Sequence, residues 1–290
     1  MLFHLRHDPD WRHASAAERA VLTVATDAAT TSSVVGGELP QVCWFRVTAP
    51  GVAPTRLVFI TDLHWRFTDW HAGEALLNLI NAAAADWLLF GGDLAGYLEH
   101  LPSAKDWLSR LRAGRGKLAV PGNWEHKKYW LPVTYWRQAY DDVGFRLLVN
   151  EILVPPDPAA PVFVGYDDYR FGRRDPELAD DLLQTHPGRY VVGLMHSPAT
   201  AGHTTGHFLG HLLLAGHTHG GQWRLPGFGA VYTSTPYGKQ FEYGWWRRST
   251  DQAQLLISAG LGVTGPGFLR RRVGCPPEIV VLELLPPDLP

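Results

Sequence analysis

The feature of this sequence that most limits its fold is a series of short runs made almost wholly of apolar residues. Each run has three to six residues and is bounded by glycine, proline or polar residues. Runs so short and so apolar are typical of β-strands that are buried on both faces. Five such runs stand at residues 57–60, 87–90, 118–120, 190–195 and 212–215.

Segments with helical spacing lie between these runs. Residues 71–85 carry leucines and an isoleucine on one side, residues 103–113 begin with Ser103 as a candidate cap, and Asp175 with Pro176 precedes a helix over 178–184. Further strands are predicted at 42–47, 255–258 and 279–282. The alternation of strands and helices predicts an α/β protein in which helices cover buried sheets.

Composition narrows the class of protein. The chain is 46% hydrophobic and 19% charged, which is enough apolar material for a sizeable core. Its net charge of −2 offers no basic field, so no nucleic-acid polymer is expected as a partner. Two cysteines, no apolar run of about 20 residues and no signal-like N-terminus predict a cytoplasmic protein.

The domain organisation follows from where these patterns begin. We interpret residues 1–40 as an N-terminal appendage with a short helix over 14–26, because this stretch is rich in alanine, threonine and serine. No linker rich in proline or glycine divides the remainder. Residues 41–290 are therefore predicted to form a single domain.

Metal-binding side chains follow the five apolar runs, at or just past the point where each strand is predicted to end. Ligands bind at this edge of open α/β sheets. The neighbouring glycines are expected to supply positive φ angles for the turns. The seven polar residues are Asp62, His64, Asp93, Asn123, His196, His217 and His219.

The chemistry of this set indicates transition metals. Imidazole together with carboxylate suits Mn²⁺, Fe or Zn²⁺, whereas Ca²⁺ prefers oxygen ligands alone. Seven ligands exceed the needs of one tetrahedral site. They suit two ions about 3.5–4 Å apart that share a bridging carboxylate, as in phosphatases and nucleases.

The motifs Asp62-x-His64, Gly92-Asp93, Gly122-Asn123, His196 and Gly216-His217-x-His219 resemble the signature of calcineurin-like metallophosphoesterases. The fuller string 216–222, with 196–198, 260–262 and 276–279, resembles the bacterial phosphodiesterase subgroup labelled YkuE/YaeI-like. The resemblance implies a four-layer α/β/β/α sandwich with two mixed sheets and the metal pair at the carboxyl ends of the strands.

The resemblance also implies roles for the seven residues. One metal ion would take Asp62, His64 and His219. The other would take Asn123, His196 and His217, and Asp93 would bridge both. A hydroxide bridging the two ions would then attack a small phosphoester substrate.

The sequence departs from the family at one position. The family block reads Gly-Asn-His-Glu or Gly-Asn-His-Asp, but here Trp124 stands where the histidine would protonate the leaving oxygen. His126 is the candidate replacement for this acid, and its alternative is a surface histidine. Trp124, with Asn123, is a candidate substrate contact, and its alternative is simple packing.

Other polar clusters are interpreted as structural. His203, His207 and His211 have helical spacing, but interleaved glycines favour a loop or the surface. Asp167 with Asp168 is interpreted as a turn, and the arginines 170, 173 and 174 as a loop near the site mouth. The arginines 270–272 could meet an anionic substrate or a lipid headgroup, although a solvated face is the simpler interpretation.

Three functions are therefore weighed. The first is a metal-dependent phosphohydrolase cleaving a phosphodiester, a phosphoester or a pyrophosphate-like bond. The second is a UDP-acyl-sugar pyrophosphate hydrolase of the lipid A type, with an acyl groove lined by Trp124, Trp130 and Trp136. The third is a non-enzymatic scaffold. No transmembrane segment is expected, and peripheral contact with a membrane and the oligomeric state are left open.

Overall fold

Two mixed β-sheets dominate the computed structural model, which describes residues 6–28, 40–65, 70–127, 131–204, 206–267 and 270–287. The strands are β1 Trp11–His13, β2 Thr23–Ala28, β3 Gln41–Thr48, β4 Thr55–Ile60, β5 Trp87–Phe90, β6 Gly116–Ala119, β7 Arg146–Leu147, β8 Glu151–Leu153, β9 Val162–Gly165, β10 Val191–Leu194, β11 Leu212–Ala215, β12 Arg224–Leu225, β13 Gly229–Ala230, β14 Gly244–Arg248, β15 Gln254–Ile257 and β16 Glu278–Leu285.

Short helices connect these strands. The α-helices are α1 Ala16–Leu22, α2 Trp70–Ala82, α3 Leu101–Ser109, α4 Asn123–Lys127, α5 Val133–Asp141, α6 Leu182–Thr185 and α7 Ala199–His203. Single 3₁₀ turns are formed by Leu98–His100 and His219–Gly221. Among the described residues, no helix combines the length and the apolar character needed to cross a bilayer.

Each sheet has seven strands. The first sheet has the order β2-β3-β16-β4-β5-β6-β7, and the second has the order β1-β14-β15-β11-β10-β9-β8. β4 to β7 run parallel in the first sheet, as do β9, β10, β11 and β15 in the second. Antiparallel pairs elsewhere make both sheets mixed, which confirms the predicted α/β class with mixed sheets.

Alternation along the strands builds the core. In β4, Leu57 and Phe59 point to one side and Val58 and Ile60 to the other, and all four are fully buried. The first side belongs to a cluster that includes strands of both sheets, so the two sheets pack against each other. Two further clusters cover the outer faces with helix and loop side chains. Burial on both faces explains why the central residues of these strands are apolar.

The predicted strands are confirmed, but three predicted helix features are wrong. The helix over 14–26 ends at Leu22, because the β-branched residues that follow join β2 and pair with β3. Ser103 does not cap α3; its hydroxyl donates to the His100 carbonyl and accepts from the Trp65 indole. Most of 178–184 forms turns, because the Asp180 carboxylate is held by residues 207 and 208.

β1 and β2 both precede residue 41, and each is an edge strand, one in the second sheet and one in the first. The division of the chain at residue 40 stays a prediction.

A buried arginine holds the loop that supports the end of β4. Arg272 is 2% exposed, and its guanidinium donates to the carbonyls of Ala259, Gly260 and Gly262. The Gly262 amide in turn donates to the Asp62 carbonyl at 2.7 Å. The interpretation of Arg272 as part of a solvated face is therefore wrong, because its positive charge satisfies carbonyls that water does not reach.

We expect Arg272→Met to lower the free energy of unfolding by about 3 kcal/mol or more, because it leaves several buried carbonyls without donors. Arg271→Met is the matched control, since Arg271 is exposed and should change stability by about 0.5 kcal/mol at most. Urea unfolding of both variants checks this. Equal effects of the two substitutions would contradict the role assigned to Arg272.

Candidate metal centre

The strand ends of both sheets bring the predicted polar residues together. Asp93 follows β5 in the first sheet, and its Oδ2 lies 3.5 Å from His64 Nε2 and 3.4 Å from His196 Nε2. His64 Nε2 lies 3.1 Å from His219 Nε2. Asp93 therefore stands between a histidine of the first sheet and a histidine of the second.

The far side of His196 completes the cluster. Its Nε2 lies 3.0 Å from Asn123 Oδ1 and 3.0 Å from His217 Nδ1. Asp62 Oδ1 lies 3.5 Å from His219 Nε2. All seven residues thus form one continuous set of nitrogen and oxygen atoms. Within it, two groups are each able to hold a metal ion: Asp62 with His64 and His219, and Asp62 with Asp93 and His196.

The spacing of these atoms fits a metal centre. Ligand atoms about 2.1 Å from a shared ion lie about 3.0 to 3.4 Å from each other, which matches the distances above. Asp62 Oδ1 and His219 Nδ1 are buried with no hydrogen-bond partner in the described part of the chain. Asp62 Oδ1 and the ring nitrogens of the cluster are close enough to repel each other as acceptors unless a cation or a proton lies between them.

Burial shifts the pKa values of neighbouring carboxyl and imidazole groups in the cluster in opposing directions. Burial raises the pKa of Asp93 well above its ordinary value, which the positive charge of His196 opposes. Burial lowers the pKa of His196, but the carboxylates of Asp93 and Asp62 outweigh this and raise it to about 9. Burial and the charge of His196 lower the pKa of His217 to about 3. Divalent cations would relieve this conflict by stabilising carboxylate and neutral imidazole together.

Hydrogen bonds outside the cluster orient its members. Asp93 Oδ1 accepts from the Trp124 amide at 2.8 Å, which turns Oδ2 toward the histidines. Asp62 Oδ2 accepts from the His217 amide at 2.8 Å. His196 Nδ1 donates to the Gly91 carbonyl at 2.8 Å, which directs Nε2 toward the site and makes it the unprotonated nitrogen whenever the ring is neutral.

Glu125 is a supporting residue that the sequence analysis missed. Its side chain is 2% exposed and accepts from the amides of Asp93, Leu94 and Gly122 and from the Tyr140 hydroxyl. It therefore ties the Asp93 turn to the turn that carries Asn123. The signal was present, because the family block itself contains an acid at this position.

The strained backbone lies at the candidate metal-binding residues themselves. Asp62, His64, Asp93, His217 and His219 have positive φ angles between 43° and 68°. Such conformations cost of order 1–3 kcal/mol each and cluster at functional sites.

The glycines beside these residues have two different roles. Gly92 has the expected positive φ angle, whereas Gly122 and Gly216 do not and are required because a side chain would not fit there. A Cβ on Gly122 would lie 2.2 Å from Asp93 Oδ1, and one on Gly216 would lie 2.3 Å from Asp62 Oδ2.

Trp124 and His126 lie on the same short helix, α4, but face different surroundings. The Trp124 and His64 rings pack edge to face with their centroids 4.7 Å apart. The Trp124 ring also lines the site cavity. His126 is not among the described residues lining that cavity; its Nε2 lies 2.6 Å from Asp167 Oδ1. Burial lowers the pKa of His126, but the hydrogen bond and the charge of Asp167 more than offset this and raise it.

A cavity of about 720 Å³ opens above the cluster. Its wall contains five members of the cluster: His64, Asp93, Asn123, His217 and His219. Cationic side chains reach it from Arg6, Lys127 and Arg170, and aromatic ones from Trp124, Tyr169, Phe171 and Tyr232. The cavity is large enough for a small phosphoester with an organic group.

Most of the weaker candidates of the sequence lie apart from the cluster, although Asp168 and Arg170 line the cavity above it. His203 bonds the hydroxyls of Tyr169 and Tyr237, His207 bonds Asp180, and His211 accepts from the Val191 amide. These histidines do not share a helix, as predicted. Asp167 and Asp168 form a turn, as predicted, because their carboxylates accept amides of residues 168 to 173.

We expect Gly122→Ala to lower the affinity for metal by at least about tenfold, because the new methyl group displaces the Asp93 carboxylate. Gly114→Ala is the control, since its Cβ would meet no atom closer than 3.8 Å. Metal titration of both variants, followed by elemental analysis, checks this. Undiminished metal content in Gly122→Ala would contradict the geometry.

Comparison with known proteins agrees with this site. Residues 55–221 match the family model described as calcineurin-like phosphoesterase. The metallophosphoesterase YkuE of Bacillus subtilis is 30% identical over 79% of this chain and 78% of that protein. A Helicobacter pylori metallophosphoesterase is 26% identical over 80% of this chain and 60% of that protein. An Aquifex aeolicus metallophosphoesterase is 25% identical over 73% of this chain and 77% of that protein. The chain therefore belongs to the calcineurin-like phosphoesterase family.

Proposed function

We propose that this protein is a metal-dependent hydrolase of small phosphoesters, with a phosphodiester or a pyrophosphate-like bond as its substrate. The observation that carries this proposal is the position of Asp93, whose Oδ2 lies 3.5 Å from His64 Nε2 and 3.4 Å from His196 Nε2. A carboxylate placed between two imidazole groups is the arrangement that a pair of metal ions requires.

The proposed centre would hold two ions, one through Asp62, His64 and His219 and the other through Asn123, His196 and His217. Asp93 would be shared between the two sets. Mixed imidazole and oxygen ligands favour Mn²⁺, Fe or Zn²⁺. When bound, such ions supply positive charge for the phosphoryl oxygens and lower the pKa of the attacking water.

The chain's own residues bind and orient the substrate. Arg170 and Lys127 at the cavity wall place positive charge near the centre, which favours an anionic phosphoester. Trp124 offers an aromatic surface beside His64 for the organic group of the substrate. Its indole is not an acid at neutral pH, so it cannot protonate a leaving oxygen.

His126 is our proposal for the missing acid, acting through a small shift of α4. In the structure its ring is held by Asp167, and this pairing raises its pKa, so a larger fraction is protonated at neutral pH. Protonated imidazole at that pH is the form that a general acid needs.

The two alternatives gain nothing from the structure. Trp136 is buried and donates to the Glu125 carbonyl, so it lines no acyl groove, and Trp130 lies outside the described residues. A scaffold would not need the ordered ligand set. The four-layer arrangement fits the three side-chain clusters and is proposed on that basis. A cytoplasmic location stays a prediction.

We expect the purified protein to bind about two transition-metal ions per chain. Asp93→Asn should lose metal and reduce kcat for a phosphodiester by about a thousandfold or more, because the amide is a poorer bridge. Asp157→Asn is the control, since Asp157 is half exposed and pairs with Arg115 at the surface. Elemental analysis and turnover of an aryl phosphodiester check both. A metal-free protein that no added metal activates would end the proposal.

We expect rates to depend steeply on the pKa of the leaving group, because Trp124 cannot donate a proton. Aryl esters should then be cleaved far faster than alkyl esters. Trp124→His should narrow this difference. If His126 acts as the acid, the wild-type protein already cleaves aryl and alkyl esters at similar rates. His126→Ala should then lower the rate on alkyl esters by about 10²-fold and leave the rate on aryl esters unchanged.

Steady-state rates on a series of aryl and alkyl diesters distinguish these cases. His186→Ala is the control for removal of a histidine, because His186 lies at the C-terminal end of α6 and outside the cavity wall. Rates that do not depend on the pKa of the leaving group, in the wild type and in His126→Ala alike, would contradict both cases: the one without an acid and the one with His126 as the acid.

A further inference from the structure

Half of the exposed large apolar side chains in the described residues lie in one place. Ten such side chains are at least 37% exposed. The other five are scattered over the surface, whereas these five lie on and beside the β12–β13 hairpin, and we name them the hairpin patch: Leu225, Phe228, Val231, Tyr232 and Val273. A contiguous apolar patch of this kind marks an interaction surface.

The backbone pairing shows why these side chains share a face. Leu225 pairs with Gly229 across the hairpin, and the Val231 amide donates to the Trp223 carbonyl one pair further along. Val273 pairs with Trp223 from the other side. Side chains of paired residues point the same way, so Leu225, Val231 and Val273 face outward together.

The opposite face of the hairpin is occupied by the protein itself. Ala230 is 2% exposed, and Arg224 pairs with Glu242 at 3.0 Å. The outward orientation of the hairpin patch is therefore fixed by the packing of the inward face. The paired backbone of the hairpin therefore determines which way these side chains point.

The charge around the hairpin patch is positive. Residues 219–277 contain seven arginines and lysines and only two acidic residues, although Arg272 is buried and Arg247 pairs with Glu18. Both acidic residues are neutralised locally, since Glu242 pairs with Arg224 and Asp251 pairs with Arg248. Lys239 lies over the Phe228 ring at 3.3 Å, and exposed Arg271 stands two residues before Val273. Apolar side chains bordered by lysine and arginine are the composition of surfaces that bind anionic membranes.

The cavity opens beside this surface. Tyr232 is 69% exposed and belongs both to the hairpin patch and to the cavity wall. Gln222, which pairs with Val273 through its carbonyl, also lines the cavity. A membrane that contacts the hairpin patch would therefore lie at the mouth of the metal centre.

We propose that the hairpin patch docks this protein onto the surface of an anionic lipid bilayer, with Leu225, Phe228 and Val231 entering the headgroup region and Lys239 and Arg271 contacting lipid phosphates. The proposal concerns binding alone. It goes beyond the proposed function and holds whether or not the metal centre hydrolyses a phosphoester.

The test is sedimentation of the full chain with sucrose-loaded vesicles, either phosphatidylglycerol and phosphatidylcholine in equal parts or phosphatidylcholine alone. We expect binding to the anionic vesicles, weakened at least tenfold by the Leu225→Ser/Phe228→Ser double variant. Arg271→Gln and 0.5 M NaCl should each weaken it severalfold. None of these substitutions touches the cavity wall.

Matched controls come from the rest of the surface. Leu183 is 49% exposed and Arg112 is exposed, both away from the hairpin, so Leu183→Ser and Arg112→Gln should bind as the wild type does. Metal content and thermal unfolding report whether each variant is folded, and Val231→Ser replaces the double variant if the latter is not. Absence of vesicle binding by the wild type, or equal binding by the hairpin variants, overturns the proposal. Concentration-dependent dimers that the same variants dissociate, without vesicle binding, would assign the hairpin patch to a second copy and overturn it too.

Discussion

The burial of the Asp93 carboxylate is the constraint on which the rest of this structure depends. A carboxylate that is 2% exposed needs compensation, and the protein supplies it from three directions. The Trp124 amide bonds one oxygen, while His64 and His196 approach the other from separate sheets. The two sheets must therefore pack so that their carboxyl edges meet, because the ligands come from both.

The strain needed for this convergence is held in place by the surrounding structure. The left-handed backbone at the candidate metal-binding residues is maintained by buried groups that bond the turns around them. Glu125 bonds three amides near Asp93, and Arg272 bonds three carbonyls of the loop against Asp62. Each is a charged side chain used as a fixed set of hydrogen-bond partners, which explains why both are buried. Positive φ at the ligands is thus a property of the whole neighbourhood.

Most of the fold and of the site follows from local patterns. The five apolar runs became β4, β5, β6, β10 and β11 because short runs of apolar residues suit strands that are buried on both faces. The polar residues that follow the strands of one sheet had to lie near each other, because carboxyl ends of parallel strands share an edge. The meeting of the two sets depends on how the two sheets pack. The short helices were harder to predict. Their ends depend on contacts such as that of Asp180 with residues 207 and 208, which lie far along the chain.

By itself, the sequence determined the main buried strands and the chemical identity of the seven metal-binding candidates, since both depend on residue type and short-range spacing. The tertiary structure alone decided the uses of residues whose partners are distant in the chain. It placed Arg272 in the interior and turned His126 toward Asp167, 41 residues away. It also gathered Leu225, Val231 and Val273 on one outward face through the pairing of strands. These outcomes depend on which surfaces pack together, and no local pattern records that.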